Sequence, residues 1–551
     1  MKTLLFLTMC CCLLSVARAQ FADVIFKNAV IWTVDPQKPS AEAVAVLGGK
    51  ILAVGTNKEI DRLAGPKTDI VDVEGKLLLP GFIDDHTHFM GGGFQLQNVD
   101  LRYAANEEEF TQRIKERSVK RPGKWITGGD WDHDNWPDGK LPTRDLIDAF
   151  TTTTPVFVNR YDGHMALANS YVLNLAKISK NTPDPPGGTI VRDPKTGEPT
   201  GILKDAAMDA VYSIMPDATN DEMLEAAKLA LGEARRLGLT SIQDVSSDAD
   251  VAVYRKLKES GELTARMYCR LPIGLTEKYI REGLKAHTGD EWVRVGALKA
   301  FADGSLGSST ALFAEKYVSE DTRGLATDIV LDGRLERWAL AADKAGIQLS
   351  IHAIGDSANG LMLDLFEKII RENPQWDRRF RIEHAQHIRP QDFQRFAALG
   401  VIASAQPYHA IDDGRWAEKR IGHERCKTTY AFRTFLDNHV HLSFGSDWTV
   451  APLNPILGIY AAATRRTTEG ANPGGWFPEQ KLTVQEAVQC YTINNAYAAF
   501  EENEKGSITS GKLADFVILS ENIFAIDPVK IEHVTVEKTI VGGKTVFAKN
   551  R

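Results

Sequence analysis

Between residues 81 and 448 short apolar runs alternate with amphipathic stretches. This alternation limits the fold more than any other feature of the chain. Strand-type runs read at 81–88 (GFIDDHTH), 238–245, 265–274, 293–304, 346–356, 379–386, 400–407 and 440–448. Helical patterns such as NDEMLEAAKLALGEARRLG and LERWALAADKAG lie between them. Strands separated by helices form parallel β/α units, and eight of them close a (β/α)₈ barrel. The expected fold is therefore α/β, a TIM barrel over 80–90 and 218–500. The stretch 91–217 is too long for one crossover helix and reads as an insertion after strand one; its DPPGGTIVRDPKTGEPTG reads as a hairpin or lid. Short β-type runs with Gly and Asn turns fill 20–79 and return in 501–551, so a small β-sandwich domain built from both chain ends is expected.

A length of 551 residues accommodates such a barrel with additions. Hydrophobic residues at 43% and charged residues at 25% exclude a disordered or fibrous chain. A net charge of −8 gives no basic face for nucleic acid. The start, MKTLLFLTMCCCLLSVARAQ, has a lysine, an apolar run from Leu4 to Val16 and a small-x-small ending at Ala17–Ala19. It reads as a secretory signal over 1–19, with a mature chain from Gln20 in a secreted or periplasmic location. No later run is long and apolar enough for a membrane span. Cleavage removes Cys10, Cys11 and Cys12. The remaining Cys269, Cys426 and Cys490 are odd in number and form no disulfide framework. The lack of an N-x-[ST] sequon fits a periplasm better than a glycosylating pathway.

In a barrel of this kind chemistry collects at the C-terminal ends of the strands. Strand one ends in His86-Thr87-His88, whose i, i+2 spacing sends both imidazoles to one side. Strand four carries Lys299, strand five His352, strand six His384 and strand eight Asp447. Each alone reads as a loop histidine or a cap; together they form a metal-binding constellation. His164 in YDGHMALANS, Trp131 in GGDWDHDNWPDG and His409 in QPYHA are candidate substrate contacts. Trp136 in the same tryptophan-bearing stretch could join Trp131 in lining a cleft. Asp303, four residues past Lys299, reads as a turn cap or as a group that tunes the site. His387, His423, His439, His441 and His533 are read as structural or exposed.

The motifs PGFIDDHTH, KAFADGSLGSSTA, IHAIGDSAN, RIEHAQ, SAQPYH, GSDWTVAPLNP and GSITSGKLADFVIL resemble the amidohydrolase superfamily over nearly all of the mature chain, and in particular its long-chain branch with the N-substituted formamide deformylases. The resemblance implies two divalent ions, usually zinc. His86, His88 and Asp447 would hold one, His352 and His384 the other, and Lys299 would bridge both as a CO₂-derived carbamate. A metal-bridging hydroxide would attack an amide-type C–N bond, with Asp447 carrying its proton to the leaving nitrogen. Neutral imidazoles and a carboxylate are the donors zinc takes, and a carbamate turns a repelling cation into a two-oxygen anion. The expected partner is a small-molecule substrate, and a homo-oligomer is left open. A mononuclear deaminase fits less well, because Lys299 is present and HAIGD lacks the glutamate expected after the strand-five histidine. An ester, carbamate or lactone hydrolase on the same metals, and a binding protein without turnover, stay open.

Overall fold

A computed structural model describes residues 21–550 apart from 103, 134, 135, 138, 161–164 and 187. The eight barrel strands are β1 (Phe82–Thr87), β2 (Leu239–Val245), β3 (Arg266–Pro272), β4 (Val293–Phe301), β5 (Gln348–Ala353), β6 (Arg381–His384), β7 (Ile402–Ala405) and β8 (Leu442–Phe444). They pair in that order, each parallel to the next. A parallel bridge between Thr87 and Trp448 links the far side, just beyond β8. These strands are covered on both faces, so β1, β5, β6, β7 and β8 are buried along their whole length. All eight strands read from the sequence are present.

The glycines after the two histidines have a packing cause. Helix α1 (Phe89–Gln97) lies against the Trp448 ring and against helix α2 (Asn220–Arg236). A Cβ on Gly92 would come within 2.3 Å of Trp448, and one on Gly93 within 2.2 Å of the Ala226 carbonyl. Only glycine permits that approach. Helix α2 starts where the sequence marks it, at a capping box between Thr219 and Glu222.

Both chain ends supply a pair of facing sheets. One sheet holds 24–27, 43–47, 50–55 and 69–72; the other holds 30–32, 40–41, 77–80, 516–519, 536–541 and 544–548. Phe26, Val44, Ile31, Leu78, Phe516 and Ile540 from the two sheets share one apolar core. The chain leaves this unit through Leu77–Pro80, paired with Phe516–Leu519, and enters β1 at once. The buried Arg266–Asp515 pair, 2.7 Å from Nε to Oδ2, ties β3 to the C-terminal segment. The insertion carries a six-stranded sheet of its own, and its Gly188–Arg192 and Pro199–Asp205 strands form the expected hairpin. Among the described residues no helix is long and apolar enough to cross a membrane. The signal-peptide reading of 1–19 lies outside the described residues.

Candidate active site

The ends of β1 and β8 interlock through their backbones. The Asp447 N–H donates to the His86 carbonyl at 2.7 Å, and the His88 N–H donates to the Trp448 carbonyl at 2.7 Å. Asp447 takes a left-handed backbone, with φ of 57°, which turns its carboxylate back over the barrel mouth. Its Oδ1 lies 3.7 Å from His86 Nε2 and 3.4 Å from His88 Nε2. The i, i+2 spacing on β1 therefore brings both rings to one carboxylate.

His352 and His384 face this group from β5 and β6. Their ring centroids are 4.4 Å apart, and His384 is 5.0 Å from His86. Glu383 and His384 are neighbours on β6, and consecutive residues of a regular strand point to opposite faces. Here φ is 73° at His384 and 43° at Ala385, and the kink lets both side chains reach the interior. His384 Nδ1 sits 2.8 Å from the Gln406 amide oxygen. That acceptor places the proton on Nδ1 and leaves Nε2 open to the site. His86 is held in the same way, with Nδ1 2.5 Å from Glu383 Oε2. Glu383 also accepts from Arg381, Ser350 and Ser404 at 2.7–2.8 Å and forms an ion pair with Arg270 at 2.9 Å.

Lys299 ends within the electrostatic reach of His86, His384, Glu383 and Asp447. It is 3% exposed, and its Nζ has no hydrogen-bond partner. Its Nζ lies 4.6 Å from the centre of the Phe301 ring, which is 5.3 Å from His352 and 42% exposed. Burial pushes the Lys299 amine down to about 7, with Glu383 opposing and Arg270 adding to the shift. Burial and the nearby Lys299 charge bring the His86 imidazole down to about 3. Burial and His352 hold His384 well below its ordinary value. Burial would raise the Asp447 carboxyl, but the hydrogen bond to His88 and the fields of His86, His384 and His409 outweigh it and hold it well below the carboxylate range. For Glu383 the burial effect is likewise outweighed, by Arg270 and Arg381. His86 and His384 are therefore neutral, Asp447 and Glu383 are ionised, and the Lys299 amine is within reach of its neutral form. The ligand atoms of His86, His88 and Asp447 lie within 4.8 Å of one another, as do those of His384, His409 and Asp447. This is a donor set for a divalent ion of the zinc type.

Residues 69–547 match the amidohydrolase family. The chain belongs to that family. This amidohydrolase is 39% identical over 542 residues to Protein LONG AFTER FAR-RED 3 of Arabidopsis thaliana, covering 96% of this chain and 92% of that protein. It is 29% identical to the N-substituted formamide deformylase of Arthrobacter pascens, covering 95% and 98%. Its fold matches the crystal structure of an uncharacterized metal-dependent hydrolase from Pyrococcus horikoshii with a TM-score of 0.76, at 28% identity over 92% of this chain and 99% of that one. By family and fold it is a metal-dependent hydrolase.

In this amidohydrolase the structure gathers His86, His88, Lys299, His352, His384, His409 and Asp447 at the C-terminal mouth of the barrel. Trp131 is a correction. It is fully buried in the insertion's own core, edge-on to Phe110, with Nε1 donating to the Val158 carbonyl at 2.9 Å. An indole satisfied in this way packs the insertion and lines no open cleft. Trp136 is largely buried, with Nε1 donating to the Ala104 carbonyl, and its edge lines a cavity of about 640 Å³ on the insertion beside Thr111 and Phe150. Phe301 is exposed apolar surface beside the site. His164 lies outside the described residues. Asp303 caps its turn, accepting from the N–H groups of Leu312, Ile354 and Gly355, and also places Oδ1 3.4 Å from His352 Nε2. Sequence reasoning missed Glu383, Arg270, Arg381 and Gln406. The available signal was charge inside otherwise apolar strands, as in RMYCRLP and RIEH. A charged residue there needs a buried partner.

Proposed function

We propose that this amidohydrolase is an exported enzyme that hydrolyses amide-type C–N bonds, with N-substituted formamides as the first substrate class to test. The reading is carried by one observation: Lys299 Nζ is buried and unpartnered within the electrostatic reach of His86, His384 and Asp447. A buried ammonium without a hydrogen bond is costly. Its neutral amine can add CO₂ and lose one proton, giving a carbamate. That anion would suit a pair of divalent ions, zinc by donor type: His86, His88 and Asp447 would hold one, His352 and His384 the other, and the Lys299 carbamate would serve both. Ions bound there supply Lewis acidity, which lowers the pKa of water and polarises a carbonyl.

The chain's own groups do the rest. Glu383 and Gln406 fix the proton of His86 and of His384 on Nδ1, so both present Nε2. The Asp447 carboxylate takes a proton from the attacking water and hands it to the leaving nitrogen. Phe301 offers apolar surface for a substituent near the scissile bond. The identity to a formamide deformylase supports formamides. An ester, carbamate or lactone hydrolase is the alternative on the same residues, because leaving-group choice depends on pocket shape.

The test is a turnover screen of formamides, other amides, carbamates and esters on the purified protein, with elemental analysis of the parent and of Lys299→Ala. About two ions per chain in the parent, loss of at least one in Lys299→Ala, and faster turnover of amides than of esters are expected. No turnover of any amide rejects the substrate reading. Export is tested by intact mass from the native host, where a mature start at Gln20 is expected and a retained Met1 rejects it.

A further inference from the structure

His409 stands on helix α3 (Pro407–Asp413), which starts two residues after β7. Its Nε2 is buried and has no hydrogen-bond partner. It lies 3.9 Å from Asp447 Oδ2. That is too long for a hydrogen bond, so the carboxylate does not engage the ring and Nε2 stays open to an acceptor that enters the mouth. A buried polar atom left unmet costs about 1–3 kcal/mol. The open nitrogen is set for a partner that arrives with the substrate.

The ring is also well supported. Pro407 occupies the first turn of α3, and Gln406, its cap residue, is the residue that holds His384. Asp413 stands four residues beyond His409, on the same helix face. Its Oδ2 accepts from the Tyr430 hydroxyl at 2.6 Å and from Gln386 Nε2 at 3.1 Å. One short segment thus carries both the group that orients His384 and an imidazole that faces Asp447.

We propose that His409 is a catalytic residue: with its proton on Nε2, it donates a hydrogen bond to the carbonyl oxygen of the scissile bond as negative charge develops there. The proton stays on His409, and no bond to the ring forms. The inference takes its reaction from the C–N hydrolase reading and its geometry from the site alone. The competing assignment is a metal ligand, since the donor atoms of His384, His409 and Asp447 lie within 4.8 Å of one another. Two sets of distances favour the catalytic role. Donors about 2.0–2.1 Å from a tetrahedral zinc sit about 3.4 Å apart. His88 and His86 lie 3.4 and 3.7 Å from Asp447 Oδ1, whereas His409 stands farthest off, 3.9 Å from the other oxygen, Oδ2. The His409 ring is 6.5 Å from that of His384, against 4.4 Å for His352 and 5.0 Å for His86.

The test compares His409→Ala and His409→Gln with the parent, each full-length and metal-loaded. The readouts are elemental analysis, formamide turnover, and calorimetric binding of formate, which presents the oxygen without requiring turnover. Both variants should keep the parent's metal content. His409→Ala should bind formate at least ~10-fold more weakly, as loss of a charge-assisted hydrogen bond requires. Its kcat should fall ~10²–10³-fold, with KM changed by less than about threefold. His409→Gln, whose amide still donates, should retain part of the rate. Loss of an ion from either variant overturns the proposal in favour of a ligand. Formate affinity in His409→Ala within about threefold of the parent, or no formate binding by the parent, overturns it as well. If the parent hydrolyses no formamide or other amide, only the substrate reading fails, and the formate and metal readouts still decide the role of His409.

Discussion

Lys299→Met should make the metal-free protein more stable, and more so at acid pH. Burial brings the lysine amine from an ordinary 10.5 to about 7. Below pH 7 the lysine is protonated in both the folded and the unfolded chain, so the native state carries the whole cost of a buried cation. The gap between the two values corresponds to about 5 kcal/mol at pH 6. Between pH 7 and 10.5 the folded lysine is already neutral while the unfolded one still holds its proton, and the cost shrinks as pH rises. At pH 9 about 2 kcal/mol is left. Methionine has nearly the same length and carries no charge, so the variant escapes this cost at every pH. Unfolding entropy of about 2.1 cal/mol/K per residue converts these figures to a Tm gain of about 4 °C at pH 6 and about 2 °C at pH 9 for a chain of this length. Differential scanning fluorimetry of metal-stripped, bicarbonate-free protein at the two pH values reads both numbers. Loading with zinc and bicarbonate should reverse the order, because only the parent gains from binding two ions. A metal-free variant that melts below the parent at pH 6, or by the same margin at both pH values, would refute the idea of a strained buried amine.

Other substitutions probe the remaining groups. Asp447→Asn, assayed in excess zinc, should lose ~10²–10⁴ in kcat on amides, and less on an activated ester whose leaving group needs no proton; amide turnover near the parent rate would remove the proton-carrying role. Glu383→Gln leaves Arg270 and Arg381 without their carboxylate and weakens the hold on His86, so metal affinity by chelator competition should fall ~10–100-fold; unchanged affinity would reduce Glu383 to a packing role. Trp131→Ala should destabilise the insertion by about 3–5 kcal/mol, with KM unchanged. Phe301→Ala should instead raise KM for substrates with an apolar N-substituent while leaving metal content and Tm near the parent's; the opposite pattern would return Trp131 to the pocket.

What the sequence by itself determined was the barrel and the residues at its mouth. Short apolar runs at regular intervals can bury both faces only as parallel strands under helices. Histidines, a lysine and an aspartate at the ends of such runs fall on one rim whatever the loops do. His86 and His88 were legible because strand periodicity is local, and the chain-end strands because turn chemistry is local too. What only tertiary structure decided were the partners. Glu383 lies 297 residues from His86, and their hydrogen bond exists because β1 and β6 face each other across the closed barrel. Glu383 and His384 share the interior only through a backbone kink that strand alternation argues against. Trp131 looked like cleft lining because its neighbours in sequence are Gly, Asp and Pro; Phe110 and the Val158 carbonyl, far along the chain, enclose it. Periodicity and spacing reveal which side chains leave an element together. Which group receives them depends on distances between elements that no local pattern encodes.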